Sequence, residues 1–184
     1  MPAISTGTGL IDPQVVLDSA TVREGETVAD LGCGALGHFV FPAARQVGRA
    51  GKVYAVDILR SALQHITSRM RLEGTVTIET VWGDIERPHG TAIADATLDV
   101  ALVLNNLSLA REPSNIGREA FRMLKSGGRL VLVDWKLSSA PLGPPSARRV
   151  PEEAARLAMQ GVGFRFMHAF APGIYHYGMV FQKP

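Results

Sequence analysis

Two rhythms of apolar residues alternate along the chain. Near-continuous runs of Val, Leu and Ile occupy residues 28–31, 53–56, 76–82, 98–104 and 130–134. Continuous rather than alternating apolarity marks strands buried on both faces, as a parallel sheet requires. Between these runs, residues 36–47, 60–72 and 113–124 read as amphipathic helices. Phe39, Val40, Ala43, Ala44 and Val47 recur at helical spacing in the first, and Ile116, Ala120, Phe121 and Leu124 in the last. Gly127 and Gly128 then supply a helix stop. Strand alternating with helix predicts right-handed crossovers and an open, doubly wound α/β sheet.

The two ends depart from this rhythm. Residues 12–19 predict a short helix, with Asp12 as cap and Pro13 in the first turn. Residues 138–151, rich in Pro and Ser, predict a loop. Residues 151–159 read as a helix, and the β-like runs 164–170 and 174–181 follow. Pro172 and Gly173 between those runs predict a turn and an antiparallel hairpin.

Composition narrows the class. A chain of 184 residues fits one domain, residues 1–184, and 46% hydrophobic with 20% charged residues is an ordinary globular balance. No apolar run approaches the ~20 residues of a membrane helix. Residues 1–9 lack a signal-peptide pattern, so a cytoplasmic protein is expected. The single cysteine, Cys33, excludes an intrachain disulfide and a cysteine-based metal cluster, and no metal site is expected. The net charge is +2. Arg118, Arg122, Lys125 and Arg129, and the pair Arg148 and Arg149, read as solvated faces rather than a nucleic-acid surface.

Chemistry concentrates between the first strand and the first helix. Gly32, Gly34 and Gly37 allow a tight turn and close approach of a ligand to the backbone, where the helix start offers free N–H groups. This spacing also satisfies the dinucleotide fingerprint, with Asp57 placed 20 residues after Gly37 to grip a ribose. Glycine spacing alone therefore leaves NAD(P) and S-adenosylmethionine nearly tied. Asp30 would repel a diphosphate but suits an ammonium and a sulfonium. Asp84, in Gly83-Asp84-Ile85 at the end of the third strand, can accept from an adenine amino group. A Tyr-x-x-x-Lys pair and a second domain for a hydride acceptor are both missing. These features favour the methyl donor.

Asp30-Leu-Gly-Cys-Gly-Ala-Leu-Gly37, Val53-Tyr-Ala-Val-Asp57-Ile, Gly83-Asp84-Ile85 and Leu124-Lys-Ser-Gly-Gly-Arg-Leu-Val-Leu-Val133 resemble the successive motifs of class I S-adenosylmethionine-dependent methyltransferases. The nearest likeness is to the small-molecule branch that includes ubiquinone/menaquinone-type enzymes, and it spans residues 28–135. The resemblance implies a Rossmann-like, seven-stranded sheet, mostly parallel, ending in an antiparallel pair. It also implies roles. Asp30 and the loop from Gly32 to Gly37 hold the methionine portion, and Asp57 takes both ribose hydroxyls. Ile58 packs beside the adenine, while Asp84 and the backbone of Ile85 read its edge. Asn105 falls near the methionine or the acceptor. Ala35 and Leu36 stand where many relatives carry another glycine or a proline.

The acceptor is less legible. His38, His65, His89, His168 and His176 are available, but none has a partner that marks it as a base, so no catalytic residue is assigned. Cys33 reads as a small apolar filler. Leu104-Asn-Asn-Leu-Ser108 replaces the Asn-Pro-Pro-Tyr pattern expected of a nucleic-acid adenine methyltransferase. A small-molecule acceptor is expected, covered by the segment before Val22 and the 138–151 loop. The competing readings are an NAD(P)-dependent oxidoreductase and a catalytically silent cofactor-binding protein.

Overall fold

The computed structural model describes residues 10–137 and 142–184. Among these, seven strands form one sheet: β1 (Thr27–Leu31), β2 (Lys52–Asp57), β3 (Ile78–Trp82), β4 (Leu98–Leu104), β5 (Leu124–Trp135), β6 (Arg165–Gly173) and β7 (His176–Gln182). Their order is β3-β2-β1-β4-β5-β7-β6. The first five are parallel, and β7 runs antiparallel to both β5 and β6. Five helices flank the sheet: α1 (Pro13–Ser19), α2 (Val40–Val47), α3 (Arg60–Glu73), α4 (Pro113–Met123) and α5 (Glu152–Val162).

The continuous apolar runs follow from a core on each face. Val28, Ala55, Leu102 and Val133 pack with residues of α1 and α2 and with Ile66 of α3. Their neighbours Ala29, Val56, Val103 and Leu132 pack on the other side, with Ile116 of α4 and Met159 of α5. Successive side chains of a strand point to opposite faces, so a strand covered on both has no polar alternate. From β1 the chain moves outward to β2 and β3, then returns to place β4 on β1's other side. The crevice at this reversal, at the carboxyl ends of β1 and β4, is where open α/β sheets bind ligands.

Several boundaries differ from the sequence reading, each for a local reason. The first helix starts at Val40 rather than residue 36, because Gly37 turns the backbone to φ 56° and leaves Leu36 outside in solvent. The third strand starts at Ile78, and Val76 is exposed. Gly127 and Gly128 do not stop a helix. α4 ends at Met123 and passes directly into β5, where Gly127 at φ 78° donates to the Lys183 carbonyl at 2.8 Å. The hairpin turns at Ile174 and Tyr175, with Gly173 paired to His176. Pro172 instead offers its carbonyl to the Asp12 N–H, 3.4 Å away. α5 continues past residue 159 to a left-handed Gly163 cap. Asp12 caps α1 as expected, accepting from the Gln14 N–H at 2.8 Å. Of the expected 138–151 loop, residues 138–141 lie outside the described residues, as do residues 1–9 of the leading segment.

Candidate functional site

The glycine loop begins where β1 ends. Gly32, Gly34 and Gly37 all adopt positive φ, 82°, 64° and 56°. Gly32 must lack a side chain, because a Cβ there would stand 2.5 Å from the Asn106 amide. Gly34 differs: a Cβ would meet nothing within 4 Å, so that side of its Cα is open. Ala35 and Leu36 point to solvent and do not narrow the loop.

Asp57, at the end of β2, builds this loop. Its Oδ2 accepts from the Gly34 N–H at 2.9 Å and its Oδ1 from the Leu59 N–H at 2.8 Å. Each oxygen keeps a further lone pair for a hydroxyl. Asp30, on the same face of β1, is 2% exposed, and its Oδ2 has no hydrogen-bond partner. Burial, and then the nearby Asp57 carboxylate, push its pKa up to about 7. A buried carboxylate without a donor costs free energy unless a ligand supplies one, and an ammonium answers both the charge and the missing donor. The residues present therefore fit the amino-acid end of S-adenosylmethionine.

The remaining predicted residues line the same edge. Ile58 is exposed just past β2, and its carbonyl accepts from Trp82 Nε1 at 2.9 Å. Arg60 lies over the Trp82 ring, 4.6 Å from its centroid. The Asp84 side chain is committed locally, accepting from the Glu86 N–H at 3.0 Å and pairing with Arg87 at 3.2 Å. Ile85 packs its side chain against the second core. Asn105 sits buried at the end of β4 with φ 59°, its N–H donating to the Val133 carbonyl at 2.9 Å. Cys33 packs against the first core, and burial, with Asp30 and Asp57 nearby, pushes its thiol up and keeps it protonated.

Three supporting side chains escaped the sequence reading. Asn106 donates to the carbonyls of Leu31 at 2.8 Å and Leu104 at 3.0 Å, clamping the ends of β1 and β4 together. Asp134, fully buried at the end of β5, accepts from the N–H groups of Leu107 and Trp135 at 2.9 and 2.8 Å, and burial raises its pKa to about 6. Its sequence signal was available, because it closes an apolar run as Asp57 nearly does. Glu119 on α4 accepts from the N–H groups of His89 and Thr91 at 3.0 and 3.2 Å and pairs with Arg122 at 2.7 Å. It thereby anchors the far side of the turn that carries Asp84, whose N–H donates to the Gly90 carbonyl at 2.9 Å. His38 links its ring to the Ile11 carbonyl at 3.0 Å, tying the leading segment to the glycine loop.

No helix among the described residues is long and apolar enough to cross a membrane. A sequence model of the methyltransferase domain family matches residues 23–161. An uncharacterised protein from a transposon of Streptomyces fradiae is 33% identical over 66% of this chain and 34% of its own length. The ubiquinone/menaquinone biosynthesis C-methyltransferase UbiE of Salmonella arizonae is 32% identical over 72% of this chain and 50% of its own. The chain thus spans about a third to a half of these curated relatives. A crystal structure of a SAM-dependent methyltransferase from Aquifex aeolicus superimposes with a TM-score of 0.87 at 25% identity, covering 98% of this chain and 94% of that one. With the seven-stranded sheet in this order and an acid-bordered glycine loop at its switch point, the chain belongs to the class I S-adenosylmethionine-dependent methyltransferases.

Proposed function

We propose that this chain transfers the methyl group of S-adenosylmethionine to a small-molecule acceptor held against the carboxyl edge of β4 and β5. The observation that carries the reading is the buried, unpartnered Asp30 carboxylate beside the open face of Gly34. Asp30 takes the ammonium, and the loop from Gly32 to Gly37 packs along the methionine chain. Asp57 offers its remaining lone pairs to the ribose hydroxyls. Ile58 lies against the adenine, whose edge meets Asp84 and the Ile85 N–H. Asn105 stands nearest the reacting end. UbiE, named for quinone biosynthesis, supports an acceptor of small-molecule size.

When bound, the cofactor supplies an electrophilic methyl on a sulfonium whose leaving thioether is neutral. The protein's part is then to fix the in-line approach and exclude water, which alone can supply much of the rate. The experiment is a thermal melt with S-adenosylhomocysteine or NAD(H). At ~100 times its dissociation constant a ligand adds ~2.7 kcal/mol to stability, which for a domain of this size is ~5–11 °C. The demethylated cofactor should give that shift. A shift with NAD(H) alone would sink the reading.

A further inference from the structure

The sheet edge that carries the cofactor loop continues across β5 to β7. Leu104 pairs with Val133, Val133 with Gly178, and Trp135 with His176. Trp135 and His176 are thus paired neighbours at the carboxyl edge, two residues past Val133 and before Gly178. By strand alternation Trp135 and His176 lie on the face that carries Asp30 and Asp57. At ~4.8 Å per strand, His176 stands ~10 Å from β4, with Trp135 of β5 between them.

His176 is fully buried, and neither ring nitrogen has a hydrogen-bond partner. Native interiors seldom leave such a group unpaired without a use for it. Its ring packs 4.2 Å from the Trp135 ring, centroid to centroid. Trp135 is itself fixed. Gly143, at φ 82°, comes so near that a Cβ would stand 2.6 Å from the indole, and the Arg149 guanidinium lies 5.4 Å from its centroid. Arg149 in turn donates to the carbonyls of Pro144 and Lys136 at 2.9 and 3.0 Å, joining its own segment to the residue after β5. On the other side, His176 Nδ1 and the Leu10 carbonyl both approach Gly173, at 4.0 and 2.5 Å from the point where its Cβ would be. Burial first, then Lys136 and Arg149, lower the imidazole pKa to about 4, so the ring is neutral at pH 7. A neutral imidazole presents one donor and one acceptor. A hydroxyl matches either nitrogen.

We propose that His176 is an acceptor-binding residue, its imidazole hydrogen-bonding a hydroxyl group of the methyl acceptor while Trp135 holds the ring in place. The assignment rests on the reading of this edge as the methyl-transfer site, and it adds the functional group by which the acceptor is held.

The test uses the full chain saturated with S-adenosylhomocysteine, with phenol and toluene as probes that differ by a hydroxyl for a methyl. Phenol should move the His176 Hε1 resonance in a titration, and toluene should not. His176→Phe should weaken phenol binding ~5-fold or more, the loss of one hydrogen bond. It should leave S-adenosylhomocysteine affinity within about twofold and raise the melting temperature, because an unpaired polar group is removed. His176→Gln keeps a donor and an acceptor and should restore most of the phenol affinity. Equal binding of phenol and toluene, or unchanged phenol affinity in His176→Phe, overturns the proposal. If His176→Phe does not fold, the resonance titration of the unsubstituted protein decides alone. If S-adenosylhomocysteine itself does not bind, the methyltransferase reading falls and this proposal with it. Normal cofactor binding with a His176 indifferent to phenol overturns the proposal only.

Discussion

Asp57 accepts hydrogen bonds from the N–H groups of Gly34 and Leu59, so its removal must act on the loop as well as on the ribose. Asp57→Ala should weaken S-adenosylhomocysteine binding by ~10- to 150-fold in a calorimetric titration, the value of a charged hydrogen bond or two. It should also lower the melting temperature. The sequence reading gives the acid a ribose role only, because nothing in the spacing shows that its oxygens already serve the glycine loop. An unchanged melting temperature would show that water replaces the carboxylate. Asp30 behaves in the opposite sense. Its folded pKa, about 7, lies above the ordinary carboxylate value, so the fold prefers it protonated. Stability from this group is present below about pH 4 and is lost as pH rises through 7. Asp30→Asn should therefore raise the melting temperature of the free protein by a few degrees at pH 8 and by little at pH 4, while cofactor affinity falls. A binding enthalpy that varies with buffer near pH 6.5, reporting proton release as the cofactor's ammonium arrives, would confirm that Asp30 ionises on binding. No net proton exchange would remove it from the ammonium site.

At the scale of elements, the turn from Gly83 to Thr91 depends on α4, a helix that supplies none of the proposed adenine-binding residues. Glu119 of α4 holds the His89 and Thr91 N–H groups, and Arg122 pairs with Glu119 and donates to the Ile93 carbonyl at 2.8 Å. Removing Glu119 leaves the His89 and Thr91 N–H groups without their acceptor, about 1–3 kcal/mol for each group left unpaired, while Arg122 keeps Asp95 at 2.6 Å. Glu119→Ala should thus lower stability by that order. In hydrogen exchange it should release the amides of His89 and Thr91 first, leaving those of β2 protected. Loss of protection spread evenly over the sheet would mean that Glu119 supports the fold generally and not this turn. The sequence offered no route to this clamp. Glu119 and Arg122 sit on a helix whose charges read as solvated, and only tertiary packing brings the 83–97 segment beneath them. By contrast, α1 was legible to its cap, because Asp12 and Pro13 act within their own turn. The start of α2 was not, because Gly37 could have been helical and is unwound by packing against Ile66 and Phe41.

For the whole molecule, the apolar runs of β1, β4 and β5 disclosed the parallel core because those strands are covered on both faces, whereas β3, at the sheet edge, exposes Glu79 and Trp82. The C-terminal pair was legible as a hairpin, but its place in the sheet was not. Short-range turn signals say nothing about which of two strands meets β5. In the structure the later strand, β7, lies between β5 and β6. Its position has a consequence for biosynthesis. While the ribosome is still delivering residues 165–173, β5 presents a bare edge of Leu130, Val131, Leu132 and Val133 with unpaired backbone groups, and β6 has no neighbour to join. Such an edge is a template for pairing between nascent chains. Chains halted before His176 should accumulate as insoluble material in a cell-free translation sedimented after release, and chains reaching Gln182 should remain in the supernatant. Order of manufacture and order of assembly disagree at this one strand, which makes the interval between the synthesis of β5 and that of β7 an aggregation hazard for the newborn chain.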